Sequence, residues 1–277
     1  MSEPIAFLTG CGRSGTTILG QMIGASPSVR YLNDDFPFWI GPFPQCDAWG
    51  LREDTRDRDN RIELTEHDLP GGDPAAFWRN AQQKRGSASL LVEKVALNNF
   101  RLRFLAALAP HAPIVTIVRH GVEVARSIAR RVEAGQWYGP GDRKWKLLEQ
   151  LAKQRGLDAE LALCTNNLAK GLLEWRLSVQ VAAEHVAAIG PGRVLMVRYE
   201  DLLANPQAVA TRLGEHLALP EGGSAMQRWA RGRIERKNPA ASELPPPPEA
   251  EAIAGNTLRA MGYEPAGGRI PIPAVSP

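Results

Sequence analysis

The fold is decided by residues 5–17, IAFLTGCGRSGTT. Residues 5–9 form a short apolar run that ends at Gly10, which predicts a buried strand. Residues 16–25 carry apolar side chains at helical spacing up to Pro27, which predicts a helix. Glycines between a strand and a helix let backbone N–H groups face an anion at the helix N-terminus. The stretch therefore predicts a phosphate-binding loop made of Gly12, Arg13, Ser14, Gly15, Thr16 and Thr17.

This loop differs at one position from the loop GxxxxGK[ST] that ATPases use. Thr16 stands where that loop has its lysine, whose charge normally reaches the β- and γ-phosphates. Hydrolysis of ATP or GTP is therefore disfavoured. Arg13 places a cation inside the loop instead, and its planar guanidinium suits a leaving phosphate whose negative charge grows. The alternative is an ordinary glycine turn that exposes an arginine.

Further strands and helices alternate along the chain. Apolar runs predict strands over residues 89–95, 113–118 and 193–198. Helical spacing predicts helices over residues 98–109, 122–132 and 206–217. A mostly helical stretch over residues 143–189 is interrupted near Gly156 and Gly171. Because strand–helix alternation is typical of a parallel sheet, we expect an α/β fold with three layers, αβα, around a central parallel sheet.

Length and composition favour one domain over residues 1–277. The chain has 277 residues, of which 44% are apolar, which is enough for a sizeable core. Residues 31–85 are irregular in pattern and rich in Pro, Gly, Asp and Arg, and we interpret them as a substrate-facing insertion. Residues 228–277 combine a flexible basic segment, a proline run and a last helix that ends near Met261.

A second anion site is predicted at the end of the strand over residues 113–118. Arg119 ends that strand, and Ser127 lies eight positions later, within the next helix. A guanidinium and a hydroxyl at this spacing can converge on one phosphate. Taken singly, the arginine is more often a surface salt-bridge partner and the serine a neutral helix residue. Since Arg119 and Arg198 follow inner strands where an ATPase has an acid for Mg²⁺, transfer without a metal is favoured.

These motifs resemble those of the sulfotransferase superfamily that uses 3′-phosphoadenosine-5′-phosphosulfate (PAPS). The form Arg-Ser-Gly-Thr-Thr at residues 13–17 is most similar to the tyrosylprotein and bacterial branches. The resemblance implies a sulfotransferase fold related to that of P-loop NTPases. It also implies PAPS as the donor and adenosine 3′,5′-bisphosphate as the product, without a metal. In this superfamily an arginine and a serine at the spacing of Arg119 and Ser127 bind the 3′-phosphate of PAPS.

The resemblance extends to three further positions. Tyr199 matches a tyrosine near the adenosine, although a tyrosine can equally anchor the end of a strand. Lys94 matches a lysine that steadies the transferring group, a role it would share with Arg13. Lys237 lies in a segment similar to the basic region that folds over the nucleotide, but it stands where a serine is expected. A solvated basic tail is the alternative for Lys237.

The catalytic base implied by the resemblance is Asp34. Transfer needs a group within hydrogen-bond reach that takes the proton of the acceptor. Counted without gaps from Arg13, Asp34 falls where the tyrosylprotein branch has its catalytic glutamate, and Asp35 is the fallback. An Asn-Asp-Asp run is also typical of a turn or a helix cap. The five histidines fall in no matching motif, so none replaces Asp34.

Charge, hydropathy and cysteine content exclude several classes of partner and site. The net charge is +3, from 33 basic and 30 acidic residues, so we expect no nucleic-acid partner. No apolar stretch approaches about 18 residues and no basic leader precedes the first strand, which predicts a cytoplasmic protein without a membrane span. Three separate cysteines favour reduced thiols, and no ligand spacing predicts a metal site.

The sequence predicts a PAPS-dependent sulfotransferase that acts on a hydroxyl or similar group of a small molecule, a peptide or a glycan. Phe36, Phe38, Trp39 and Trp49 suit an aromatic or amphipathic alcohol, although loops also pack aromatic rings over cores. The rival enzyme is a P-loop kinase that acts on a small molecule with ATP and Mg²⁺. The alternative without catalysis is a nucleotide-binding protein that binds PAPS and does not consume it.

Overall fold

The chain folds around a five-stranded parallel sheet. A computed structural model describes residues 4–55, 60–234 and 245–265. The strands are β1 (Ile5–Gly10), β2 (Val29–Asn33), β3 (Leu90–Lys94), β4 (Ile114–Val118) and β5 (Val194–Arg198). Their order across the sheet is β2-β3-β1-β4-β5, and every neighbouring pair is parallel. The α/β class predicted from strand–helix alternation is confirmed.

Helices cover both faces of the sheet. They are α1 (Thr16–Ile23), α2 (Phe36–Ile40), α3 (Pro74–Arg85), α4 (Leu102–Leu108), α5 (Gly121–Glu133), α6 (Arg143–Gln154), α7 (Asp158–Ala162), α8 (Asn167–Ile189), α9 (Tyr199–Ala204), α10 (Pro206–His216), α11 (Ser224–Arg233) and α12 (Ala250–Ala260). Alternate residues of β1 join different buried clusters, with Phe7 on the side of α4, α5, α8 and α12 and Leu8 on the side of α1, α10 and α11. The sheet is therefore the middle of three layers. In the described part of the chain, none of these helices has the length and apolar character needed to cross a membrane.

The carboxyl ends of the strands meet at one edge of the sheet. β1 leads into residues 10–17, here called the glycine loop, and Arg119 directly follows β4. β2 pairs with β3 so that Asn33 lies opposite Lys94, and Asp34 comes next. In parallel α/β sheets, ligands bind beyond the carboxyl ends of the strands. This edge is therefore where the candidate site is built.

A strand lies where the sequence predicted irregular structure. β2 extends into the segment of residues 31–85 as far as Asn33, and it forms an edge of the sheet. Its middle residues are partly exposed, so it lacks the continuous apolar run that marks the inner strands. The sequence for this reason predicted four strands rather than five.

The same segment also contains α2 and α3, which the sequence analysis did not predict. α3 buries only Phe77 and Ala81, so most of its surface is polar and its apolar period is weak. Its start is nevertheless marked, because Asp73 accepts a hydrogen bond from the N–H of Ala76 and Pro74 follows in the first turn. That the segment faces the substrate stays a prediction.

Two of the four aromatic side chains expected to suit an acceptor are buried instead. Phe38 and Trp39 lie in the core and pack on Phe77. Large rings contribute most to stability when they are removed from water, and here they join α2 and α3 to the core. Phe36 and Trp49, whose ring centroids are 4.7 Å apart, are only partly buried. The alternative that this segment packs aromatic rings over the core is right for Phe38 and Trp39.

Two other predicted features were wrong. Gly171 does not interrupt a helix but lies within α8, where a Cβ would come 2.9 Å from the Cα of Ala125 in α5. Glycine at this position allows close helix packing, and the interruption falls at residues 163–166 instead. Residues 228–233, predicted to be flexible, form the end of α11 because that helix packs on α10 and α1 through Met226 and Ala230. Lys237 lies outside the described residues.

Candidate active site

The glycine loop has a strained backbone. Gly15 has a φ of 100° and Arg13 a φ of 73°, in the left-handed region that side chains other than glycine rarely adopt. A Cβ on Gly15 would lie 2.5 Å from the ring of Tyr199, so only glycine fits there. Strain of this kind clusters at functional sites. The hydroxyl of Ser14 is buried without a hydrogen-bond partner in the described residues, and it is available to a bound anion.

Arg13 joins the two anion sites that the sequence predicts separately. Its Nε donates a hydrogen bond to Oγ of Ser127 at 3.1 Å. Burial lowers the pKa of Arg13, and the positive charges of Arg131, Arg119 and Arg130 lower it further. Arg13 therefore lies within electrostatic range of three other arginines. A bound anion would offset their mutual repulsion.

Arg119 is oriented by an acid and by an aromatic ring. Its Nη2 lies 3.6 Å from Oε2 of Glu123, one helical turn later. Its Cζ lies 4.6 Å from the centroid of the Tyr199 ring, a distance typical of a cation–π contact. The same ring touches Gly15. Tyr199 therefore lies between the strand-end arginine and the glycine loop.

Asp34, the predicted base, forms an ion pair with Lys94. Nζ of Lys94 donates to Oδ2 of Asp34 at 2.5 Å and to Oγ1 of Thr17 at 3.5 Å. The backbone N–H of Asp34 also donates to the carbonyl of Lys94 at 2.8 Å, so β-pairing fixes both residues. The side chain of Lys94 is 2% exposed, whereas that of Asp34 is 39% exposed. The carboxylate is thus held beside the glycine loop and open to solvent.

Asp35, the fallback base, has other partners. Its Oδ1 accepts a hydrogen bond from the N–H of Phe38 at 3.3 Å and so caps α2. Its Oδ2 lies 2.6 Å from Nζ of Lys84. The geometry favours Asp34 over Asp35 as the carboxylate that an acceptor can reach.

The structure brings the described members of the predicted site together at the carboxyl edge of the sheet. They are Gly12, Arg13, Ser14, Gly15, Thr16, Thr17, Asp34, Lys94, Arg119, Ser127 and Tyr199. Lys237 is the exception, since it falls outside the residues that the structure describes. Over the described ranges, no three histidine, cysteine or acidic side chains are grouped as a metal site would require.

The sequence also matches a known family. The model of the sulfotransferase family matches residues 4–222. The chain belongs to the sulfotransferase family. Among curated proteins, protein-tyrosine sulfotransferase A of Caenorhabditis elegans is 22% identical over 222 residues, which are 79% of this chain and 51% of that protein. The chain therefore spans about half the length of this relative.

Solved sulfotransferase structures share the fold. Sulfotransferase STF9 from Mycobacterium avium has a TM-score of 0.55 at 13% identity, covering 97% of this chain and 79% of that one. The sulfotransferase from Alicyclobacillus acidocaldarius has a TM-score of 0.53 at 13% identity, covering 95% of this chain and 94% of that one. At such identities the likeness shows the sulfotransferase fold alone.

Sequence reasoning missed two arginines whose charge acts on Arg13. Arg130 and Arg131 contribute to the positive charge around Arg13. They follow Ser127 in α5 by three and four residues, a spacing that puts side chains on one face of a helix. That spacing could have identified both from the sequence.

The segment after α12 reaches the same edge of the sheet. The carbonyl of Met261 accepts a hydrogen bond from Nη2 of Arg198 at 2.5 Å. The hydroxyl of Tyr263 donates to Oε2 of Glu200 at 2.8 Å, and Oε1 of Glu200 accepts from the N–H of His120 at 3.1 Å. Glu200 therefore links the ends of β4 and β5 to this segment.

Proposed function

We propose that the chain transfers a sulfuryl group from PAPS to a hydroxyl or similar group and releases adenosine 3′,5′-bisphosphate. The observation that carries this proposal is the 3.1 Å hydrogen bond between Arg13 of the glycine loop and Ser127 of α5. The positive charge of Arg119 also acts on Arg13, which supports a single donor held by both predicted anion sites. PAPS carries anionic groups at both its 5′ and 3′ ends, which matches such a pair of sites.

The side chains present fit this donor. The loop amides, Arg13 and the hydroxyl of Ser14, which has no hydrogen-bond partner among the described residues, suit the 5′ phosphosulfate end. Arg119 and Ser127 suit the 3′-phosphate, and the Tyr199 ring between the two sites offers a face to the adenosine. When bound, PAPS supplies an activated sulfuryl group whose leaving group is a phosphate. The proposal includes no metal, because arginine and lysine carry the positive charge that Mg²⁺ carries in a kinase.

In the proposed reaction, Asp34 takes the proton of the acceptor. The acceptor oxygen bonds to sulfur while the bond from sulfur to the bridging oxygen breaks, and the bridging oxygen keeps the electron pair. Lys94 holds the Asp34 carboxylate through Oδ2 and ties it to Thr17. Arg13 is assigned to the negative charge that grows on the leaving oxygen. A preorganised donor in this role typically contributes about 10²–10³-fold in rate.

The direct test is incubation of the purified protein with PAPS and a panel of hydroxyl acceptors. Chromatography follows both adenosine 3′,5′-bisphosphate and labelled sulfated product. We expect bisphosphate release that depends on the acceptor, and Arg13→Ala should lower the rate about 10²–10³-fold. Near-native transfer by Arg13→Ala would contradict the role of the glycine loop. Binding of PAPS without consumption would indicate a nucleotide-binding protein without catalytic activity.

Thermal unfolding in the presence of nucleotides separates the proposal from the kinase alternative. A ligand that binds the native state at a hundred times its Kd stabilises it by about 2.7 kcal/mol. We expect this stabilisation with adenosine 3′,5′-bisphosphate in the absence of Mg²⁺. Stabilisation by ATP with Mg²⁺ and none by the bisphosphate would indicate a kinase.

The proposed acceptor is a small molecule, a peptide or a glycan. The name of the curated relative, protein-tyrosine sulfotransferase A, adds tyrosine peptides to the acceptors that should be screened. Phe36, two residues after Asp34, and Trp49 stay partly exposed, and they suit an aromatic hydroxyl compound. A screen of phenols, tyrosine peptides and glycans with labelled PAPS would identify the class.

A further inference from the structure

A buried ion pair lies under the glycine loop and takes no part in the proposed reaction. Nζ of Lys144 in α6 lies 2.5 Å from Oε1 of Glu174 in α8. The two side chains are 3% and 2% exposed. Burying an ion pair is weak evidence for stability, because the loss of hydration can exceed the attraction between the charges. The position of this pair therefore calls for a role other than stability.

The pair fixes the orientation of one indole ring. Oε2 of Glu174 accepts a hydrogen bond from Nε1 of Trp137 at 2.8 Å, so both oxygens of this carboxylate are engaged. Nζ of Lys144 also lies 4.2 Å from the centroid of the Trp137 ring. The edge and the face of the ring are thus both held by the ion pair.

The indole ring in turn supports the glycine loop. A Cβ on Gly12 would lie 2.5 Å from Cη2 of Trp137, so the ring touches the loop backbone directly. Gly12 immediately precedes Arg13, whose φ of 73° is a strained value that its surroundings must maintain. Cys11 belongs to the same contact region, since its thiol is buried and lies within the electrostatic reach of Glu174 and Lys144.

The next residue of α8 supports the second anion site. Nε1 of Trp175 donates a hydrogen bond to the carbonyl of Arg119 at 3.1 Å. The Trp175 ring lies against Gly121, where a Cβ would come within 2.6 Å of it. Adjacent residues of α8 therefore support both anion sites, Glu174 through the Trp137 ring and Trp175 by a direct hydrogen bond. Both contacts depend on the position of one helix.

We propose that Glu174 is a positioning residue that, through the indole of Trp137, fixes the backbone at Gly12 and with it the guanidinium of Arg13. For catalysis this inference rests on the proposed function, but the contacts that carry it are those of the chain itself. It predicts that a hydrogen-bond acceptor at position 174 keeps the backbone of the glycine loop in place even when the ion pair is removed.

Two matched double variants separate positioning from the effect of buried charge. Lys144→Met with Glu174→Gln and Lys144→Met with Glu174→Leu both remove the ion pair. Only the first keeps a side-chain oxygen that can accept from Nε1 of Trp137. Amide hydrogen exchange of residues 11–17, measured without nucleotide, reports the loop directly. We expect faster exchange in the Leu variant than in the Gln variant.

The turnover number should also differ between the Gln and the Leu double variants. We expect the kcat of the Leu variant to lie about 10- to 100-fold below that of the Gln variant, because a misplacement near 1 Å can cost 10²-fold. Trp137→Phe is the variant to use if either double variant fails to fold, since it keeps most of the ring and removes the N–H. We expect it to raise loop exchange as well.

The inference and the proposed function fail in different ways. Equal loop exchange in the two double variants, or unchanged exchange in Trp137→Phe, would overturn the positioning role of Glu174. Failure of the unmodified protein to consume PAPS would overturn the proposed function, while the exchange comparison would still decide the positioning role. A difference in exchange between the Gln and Leu variants with similar thermal unfolding would support that role.

Discussion

Two lysine–carboxylate pairs lie near the glycine loop and differ mainly in exposure. Lys94 and Asp34 are 2.5 Å apart, and so are Lys144 and Glu174. Both lysines are almost fully buried. The carboxylate of Asp34 is 39% exposed, whereas that of Glu174 is 2% exposed. We call Lys94–Asp34 the open pair, because its carboxylate is exposed to solvent. We call Lys144–Glu174 the closed pair, because its carboxylate is buried.

The difference in exposure shows how a lysine–carboxylate pair can serve either proton transfer or the placement of a loop. Asp34 keeps a surface that a substrate can approach, which is what a general base needs. Glu174 has neither a free oxygen nor a path to solvent, because Lys144 and Trp137 engage its two oxygens. We therefore assign proton transfer to the open pair and placement of the loop to the closed pair.

The largest expected effect concerns the open pair. Asp34→Asn should lower kcat about 10²–10⁴-fold, the usual contribution of a general base. The matched control is Asp35→Asn, which removes the ion pair with Lys84, keeps a side-chain oxygen that can cap α2, and leaves Asp34 in place. Steady-state rates with PAPS and one fixed acceptor provide the measurement. A full rate in Asp34→Asn would move the base to another group.

The closed pair should show its effect in stability. Glu174→Leu leaves the Lys144 charge buried without its partner, so we expect the free energy of unfolding to fall by about 3–5 kcal/mol. Lys144→Met combined with Glu174→Leu should recover part of this loss, because no charge then remains buried. Urea denaturation checks both variants. A loss near zero in the single variant would mean that Lys144 finds another way to be solvated.

Glu93 is a third carboxylate for this comparison, because burial, rather than a lysine partner, has the largest effect on its pKa. Burial, and to a smaller extent the negative charge of Asp34, raise the pKa of Glu93 to about 8. Between pH 4.5, its ordinary value, and pH 8, the folded chain binds a proton that the unfolded chain releases. Stability should therefore fall as the pH rises through this window, by at most about 1.4 kcal/mol per pH unit.

Glu93→Gln removes this titration, so the free energy of unfolding should fall less as the pH rises. Urea denaturation at pH 5 and at pH 8 provides the comparison between the variant and the unmodified protein. An equal fall in both proteins would show that Glu93 is already ionised in the folded chain at neutral pH.

Short-range pattern was enough to predict one part of the site. The glycine loop is a contiguous stretch between a buried strand and a helix, and Arg119 and Ser127 belong to one strand–helix unit. Asp34 and Lys94 needed the family resemblance, because their contact depends on β2. That strand is a partly exposed edge whose residues lack a marked apolar pattern, yet its pairing puts Asn33 opposite Lys94.

The closed pair had no sequence signal. Lys144 and Glu174 come from different helices, and Trp137 comes from the connection after α5. In a sequence, a lysine or a glutamate within a helix is most often a solvated residue, and its burial depends on the packing of distant segments. The sequence therefore predicted the candidate groups at this edge of the sheet and gave no signal for Lys144, Glu174 and Trp137, which pack behind them.

Calorimetric titration with adenosine 3′,5′-bisphosphate and adenosine 5′-monophosphate tests most directly whether one nucleotide spans the glycine loop and Arg119. Arg119→Ala should weaken the bisphosphate about 10- to 100-fold, since a hydrogen bond to a charged group contributes about 1.5–3 kcal/mol. The affinity of the Arg119→Ala variant for the monophosphate should stay within about threefold of that of the unmodified protein, because the substituted residue then lies away from the bound phosphate. Equal weakening of both ligands, or of neither, would contradict a donor held at both ends.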